Sequence, residues 1–299
     1  VYAAEVQSLA TSRLGRFMGH HIRIRGVQRL LTASYRKPGW VPPEQPVVTR
    51  TTQGDWFLAD LRSWVDWSAW VYGEYEPALG RILEAVVDPG DDCIDVGANS
   101  GLHTLRLSRL APDGTTHAFE PVPDLANRVR LNCEINGRSN VVVHEVALGA
   151  KPGVASLNLP EPSTRNRGTA SLLRNEKHHG AATLRIPVST LDSVELNSPR
   201  LVKIDVEGFE PDVLEGGTLM LESARPVVVF EENADYRRTG DKSARRILHE
   251  LGYRFAEVRP VGAYGAGRFR LTKPAPVPVG NPLLLAVHAS DRRTPLDLP

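Results

Sequence analysis

The chain has 299 residues, enough for one large core or a core with a small appendage. Its 41% hydrophobic and 24% charged residues are those of a globular protein, and a formal net charge of +1 gives no whole-chain reason to expect nucleic acid as a partner. The two cysteines, Cys93 and Cys133, both sit in apolar settings and do not indicate a disulfide framework.

No apolar run reaches the length of a membrane span, and the first residues lack the charged start, apolar middle and small-residue cleavage site of a secretory signal. The expectation is a cytoplasmic protein with no membrane span. Residues 1–75 read as an N-terminal helical and aromatic segment. Within it Arg13, Arg16, Arg23, Arg25, Arg29, Arg36 and Lys37 occur with no acid among them, either a solvated helix face or a surface for an acidic partner. After a breaker at residues 38–43, Trp56, Trp64, Trp67 and Trp70 supply large apolar surfaces, for packing on a sheet or for a lid over a substrate.

Residues 76–289 read as one catalytic domain, followed by a tail at 290–299. Leu79, Ile82, Leu83, Val86 and Val87 recur at helical spacing, and Pro89-Gly90 stops that helix. Strand and helix patterns then alternate. A strand starts at Cys93, a helix covers 103–110, a strand 116–120, a helix 123–137 and a strand 141–146. Alternation of this kind predicts parallel strands joined by right-handed crossovers. Residues 150–195 depart from it, with short strands at 154–159 and 184–188 flanking a polar loop, and read as an inserted hairpin. Alternation resumes with strand 201–206, helix 210–222, strand 227–231, helix 242–251 and strand 255–258. An irregular connection at 260–282 leads to a final strand at 283–288, expected to pair antiparallel. The predicted fold is α/β, with a seven-stranded, mostly parallel sheet.

Ligands of open α/β sheets gather at the carboxyl ends of the strands, and those ends are polar here. The first strand runs through Asp95 into Gly97, Asn99 and Gly101, a glycine turn that opens a helix and lets backbone approach a ligand. The spacing is not the G-x-G-x-x-G of dinucleotide folds, because Asn99 replaces the second glycine and Leu102 the third, which argues against NAD. Glu120 ends the second strand, where a carboxylate accepts hydrogen bonds from vicinal ribose hydroxyls. Lys203, Asp205 and Glu207 share one strand face, costly to bury unless they pair, coordinate or catalyse. Strand five ends in Glu231.

Several motifs occur in one order: Gly73-Glu-Tyr-Glu76, Ile94-Asp-Val-Gly-Ala-Asn-Ser-Gly101, Phe119-Glu-Pro121, Gly168-Thr-Ala-Ser-Leu172, Thr190-Leu-Asp192, Lys203-Ile-Asp-Val-Glu-Gly208 and Glu231. Together they resemble the FkbM family of S-adenosylmethionine (SAM) dependent methyltransferases over about residues 72–258. The resemblance implies a Rossmann-like class I methyltransferase fold and O-methylation of a hydroxyl on a small secondary metabolite or sugar, of the kind met in natural-product or glycan biosynthesis. It places Glu76, Asp95, Gly97, Asn99, Gly101, Glu120, Ala147 and Asp205 around SAM, with backbone near Ala147 meeting the adenine.

Asp205 is the expected base, with Glu231 and Glu207 as helpers or substrate holders. Asp205 and Glu231 could alternatively hold Mg²⁺. Ser171, His178, Tyr264 and Phe269 are the candidate acceptor contacts, and His103 lines the helix entrance. Two other readings compete, an NAD-linked oxidoreductase and an inactive scaffold on a methyltransferase fold.

Overall fold

The computed structural model describes residues 20, 31–33, 35, 42–158, 183–232, 243–262, 267–276 and 280–294. His20, residues 31–33 and Tyr35 are helical. The segment before the catalytic domain is not helical throughout. Strands β1 (Val47–Arg50) and β2 (Trp56–Ala59) pair antiparallel as a hairpin, closed by a turn in which Thr51 Oγ1 accepts the Asp55 N–H. Helix α1 (Trp64–Tyr72) follows, with Ser63 as its N-cap and Gly73 ending it. Trp67 and Trp70 are buried in α1, so these two aromatics are packing residues rather than a lid. They share a cluster with Ala98, Leu105, Ala118 and Val129 of the following domain.

Helix α2 (Pro77–Val86) starts with proline in its first turn and buries Leu79, Ile82, Leu83 and Val86, as their spacing predicts. Then come β3 (Cys93–Val96), α3 (Leu102–Leu110), β4 (Thr116–Phe119), α4 (Pro123–Glu134) and β5 (Val141–His144). The insertion contributes β6 (Ala147–Leu148), β7 (Gly153–Asn158) and β8 (Thr183–Ser189), a small sheet in which β8 lies between β6 and β7. The chain continues through β9 (Leu201–Ile204), α5 (Glu210–Glu215), α6 (Thr218–Ala224), β10 (Val227–Glu231) and α7 (Ala244–Glu250). It ends with β11 (Tyr253–Pro260), β12 (Phe269–Thr272) and β13 (Leu283–His288).

The main sheet has the order β12-β11-β13-β10-β9-β3-β4-β5. Strands β10, β9, β3, β4 and β5 are parallel, and β13 runs antiparallel between β10 and β11. This is the Rossmann-like class I methyltransferase arrangement with its antiparallel last strand. It has eight strands rather than seven, because residues 269–272 of the irregular connection pair with β11 at the sheet edge. The helix predicted over 210–222 is two helices, since Gly216-Gly217 interrupts it. Asp192 then accepts the Leu219 and Met220 N–H groups at 3.1 and 2.9 Å and starts α6 afresh.

Alternate residues of the central strands face two cores. Val202, Ile204, Val228 and Phe230 pack toward α5, α6 and α7, whereas Leu201, Val227 and Val229 pack toward α2 and α3. Each such side chain contributes about 1.5–3 kcal/mol on burial, which fixes the strand register that the functional residues depend on. Among the described residues no helix is long and apolar enough to cross a membrane.

Candidate active site

Register decides which side chains meet. Val96 pairs with Phe119 on one side and Ile204 on the other, and Phe230 pairs with Ile204, so four parallel strands end flush. The next residue on each is Gly97, Glu120, Asp205 and Glu231. All four line one cleft of about 1060 Å³, open mouth included, together with Asn99, Ala147 and Glu207. Seven of the residues expected from the sequence are therefore brought together.

Three expected cofactor contacts, Asp95, Gly101 and Glu76, are not among the residues that line the cleft. Asp95 is fully buried, accepting the Thr104 hydroxyl at 2.7 Å and pairing with Lys203 Nζ at 3.0 Å, because the two residues are register partners on adjacent strands. Gly101 caps α3 against Val129. Glu76 caps α2 in a left-handed conformation (φ 45°), its carboxylate 3.2 Å from His103 Nε2. The glycines also answer to a different neighbour from the one expected. A Cβ on Gly97, at φ 76°, would lie 1.9 Å from the Asp205 carbonyl, and one on Gly101 would crowd Val129 at 3.2 Å, so the protein's own backbone and core forbid side chains there.

Phe269 does not reach the cleft. It starts edge strand β12 and packs on the apolar cluster of α2 and the sheet. Ser171, His178 and Tyr264 lie outside the described residues. Trp64, one of the aromatics read as a packing or lid surface, lines the cleft, and the sequence reading missed Val65 and Tyr75 beside it and Leu157 and Ile186 from the inserted sheet. Leu157 and Ile186 cluster with Ala147 and Val122, giving an apolar slot beside Glu120. Their alternation within β7 and β8 was visible in the sequence, but the face they cover was not.

Electrostatics separate the carboxylates. Lys203 Nζ donates to the Gly97 carbonyl at 3.0 Å and lies 3.8 Å from Asp205 Oδ2, tying the glycine turn to the candidate base. Burial acts to raise the Asp95 pKa, but Lys203, His103 and the Thr104 hydroxyl outweigh it and hold Asp95 below the usual carboxylate range. Asp205, with 36% of its side chain exposed, is raised by burial first, with Lys203 opposing. Glu231 is pushed up to about 8 by burial and then by Asp205, Glu76, Glu207 and Glu210. Glu120 accepts the Asn99 and Val122 N–H groups at 2.8 and 3.0 Å, yet burial pushes it up to about 7. Burial and the Asp205 charge raise Glu207 as well. The cleft thus holds more carboxyl groups than its described cations could balance were all ionised, so a cationic ligand would favour their ionised forms.

The Mg²⁺ alternative through Asp205 and Glu231 finds no support. Among the described residues no group of three or more His, Cys, Asp or Glu side chains could hold a metal ion, and Lys203 already brings a positive charge to Asp205.

The family model of the Methyltransferase FkbM domain matches residues 95–255, from the buried aspartate of β3 to β11. The chain belongs to the FkbM methyltransferase family. Among its relatives, Methyltransferase 1 of Beauveria bassiana is 31% identical over 158 residues, 46% of this chain and 63% of that protein. Hexuronic acid methyltransferase AglP of Haloferax volcanii is 32% identical over 176 residues, 58% of this chain and 64% of that protein. The chain thus spans less than two thirds of the length of these two curated relatives. 2-O-methyltransferase NoeI of Sinorhizobium fredii is 25% identical over 209 residues, 64% of this chain and 84% of that protein. Among solved structures, the FkbM methyltransferase of Methylobacillus flagellatus is similar at 14% identity and a TM-score of 0.44, covering 74% of this chain and 52% of that one.

Proposed function

We propose that this FkbM chain is a SAM-dependent O-methyltransferase acting on a hydroxyl of a small molecule or sugar. One observation carries the reading: Glu120, Asp205 and Glu231 stand on flush strand ends around a single cleft, beside an apolar slot. The residues fit the cofactor in kind. Glu120 suits a ribose diol, the slot formed by Val122, Ala147, Leu157 and Ile186 suits an adenine ring, and the surplus carboxylates suit a sulfonium and an ammonium group. When bound, SAM supplies the methyl group and departs as a neutral thioether.

The protein's part is to align and to take a proton. Asp205, raised by burial but with Lys203 at 3.8 Å favouring its ionised form, accepts the proton of the acceptor hydroxyl as its oxygen forms the new bond to carbon. Glu231, raised to about 8, keeps a proton at neutral pH in the free protein; ionised beside the cofactor, it holds the acceptor by accepting a hydrogen bond from a second hydroxyl. Trp64, Phe119 and Phe209 line the same cleft and keep water from the transfer. The name of AglP, a hexuronic acid methyltransferase, supports a sugar as the acceptor, and that of NoeI, a 2-O-methyltransferase, supports transfer to oxygen.

This reading displaces the NAD-linked oxidoreductase, and the strained carboxylate cluster speaks against an inactive scaffold, since carboxylates of no use would not be kept buried and crowded. The test is incubation with methyl-labelled SAM and a panel of sugars and hydroxylated small molecules. Label incorporated as an alkali-stable ether supports the reading, and label on nitrogen or in a base-labile ester contradicts it.

A further inference from the structure

A second carboxylate network is built on Asp60 and Asp66, which lie outside the matched residues 95–255, and touches the cofactor turn through Ser100. Asp66, on α1, is wholly buried, and a carboxylate so placed is costly unless hydrogen bonds satisfy it. Its Oδ1 accepts the Ser100 hydroxyl at 2.5 Å, and its Oδ2 accepts the Asp60 N–H and Arg128 Nη1, both at 2.8 Å. Burial, only partly opposed by Arg128 and Ser100, pushes Asp66 up to about 6, so the arrangement is an expensive one. Ser100 belongs to the turn between Gly97 and Gly101, and its carbonyl is held too, by Asn132 Nδ2 of α4 at 2.9 Å. The preceding Asn99 is left-handed (φ 54°) and directs its N–H to Glu120. A strained residue at a ligand turn persists only where its surroundings over-determine it. Here those surroundings are Asp66 and Asn132.

The same helix carries Trp64 and Val65 into the cleft wall, two and one residues before Asp66. A slip of α1 relative to the turn would therefore disturb Trp64 on one side and the Asn99–Glu120 bond on the other. We propose that Asp66 is a positioning residue for the cofactor: through Ser100 it locks the Gly97–Gly101 turn to helix α1, so that affinity for the nucleoside is set from a segment outside the matched family domain. The proposal rests on the SAM reading above.

The test is calorimetric titration with S-adenosylhomocysteine of the full chain and of the variants Ser100→Ala, Asp66→Ala and the double variant. Each single change is expected to raise Kd by about tenfold, the scale of one hydrogen bond to a charged group. The double variant is expected to bind within about twofold of Asp66→Ala, because the two groups act as one link. Asp291→Ala breaks a largely buried ion pair with Arg200 at the opposite end of the sheet. It sets the baseline, lowering the melting temperature with Kd unchanged. Variants that bind like the wild type, or losses that simply add, overturn the proposal. If Asp66→Ala does not fold, Ser100→Ala decides alone, an unchanged Kd overturning the proposal. A wild type that binds no S-adenosylhomocysteine overturns the SAM reading and this proposal together, an outcome distinct from variants that leave Kd untouched.

Discussion

The two ends of the main sheet use charge in opposite ways. At the amino ends of the parallel strands, Arg200 pairs with Asp291 at 3.2 Å and donates to Thr294, while Arg293 meets Asp88 and Asp91. Burial acts to raise Asp291, but the Thr294 hydroxyl, the Arg293 N–H and Arg200 outweigh it and lower its pKa. At the carboxyl ends, Glu120, Glu207, Glu210 and Glu231 are all raised, burial being the first cause at each. One end is satisfied and adds to stability. The other is left in want of positive charge, which is what a cationic ligand brings.

Replacing a carboxylate should therefore have opposite consequences at the two ends. The largest effect is expected for Asp205→Asn, which removes the proton acceptor and should lower turnover by about 10² to 10⁴ in a labelled-methyl assay while leaving the fold in place. A loss in affinity alone, with turnover kept, would make Asp205 a binding residue instead. Next is Gly97→Ala. Its Cβ would overlap the Asp205 carbonyl at 1.9 Å at a positive φ, and denaturant unfolding should show a loss of about 3 kcal/mol.

Much of this was legible in the sequence. Glu120, Asp205 and Glu231 were located by the rule that strand ends carry ligands, and the periodic runs found the strands and helices of the alternating core, apart from the break at Gly216-Gly217 that divides one helix into two. What escaped depends on contacts between distant segments. Nothing local in Cys93-Ile-Asp-Val96 says that Asp95 faces Lys203 rather than the cleft, since that follows from strand order and register. Hairpin β1–β2 was missed because its edge is satisfied by side chains far along the chain: Asn132 accepts the Leu58 N–H, and Asn136 bonds both backbone groups of Trp56. Phe269 was misplaced because an aromatic in an irregular stretch carries no periodicity to orient it.

Smaller effects sharpen the comparison further. Glu120→Gln should weaken S-adenosylhomocysteine binding by about tenfold. Wild-type affinity should rise as pH increases through about 7, where Glu120 ionises, and the variant should lose that dependence. Smallest is the effect on the stability of the protein without added ligand. Glu231 is raised from 4.5 to about 8 on folding, so its contribution is present below pH 4.5 and lost as pH rises through 8. Glu231→Gln should remove that loss, and its melting temperature should exceed the wild type's by about 2–4 °C at pH 9. The satisfied Asp291 should behave in the reverse sense, its contribution being lost as pH falls below its ordinary range.

The most direct test is calorimetric titration of the protein with SAM at pH 7 in two buffers of different ionisation enthalpy. Micromolar binding accompanied by net release of protons is the predicted result, because a sulfonium entering beside Glu231 and Glu120 should drive them to ionise. Binding of NAD in its place, or SAM binding with no proton released, would contradict a cleft built around a cationic cofactor.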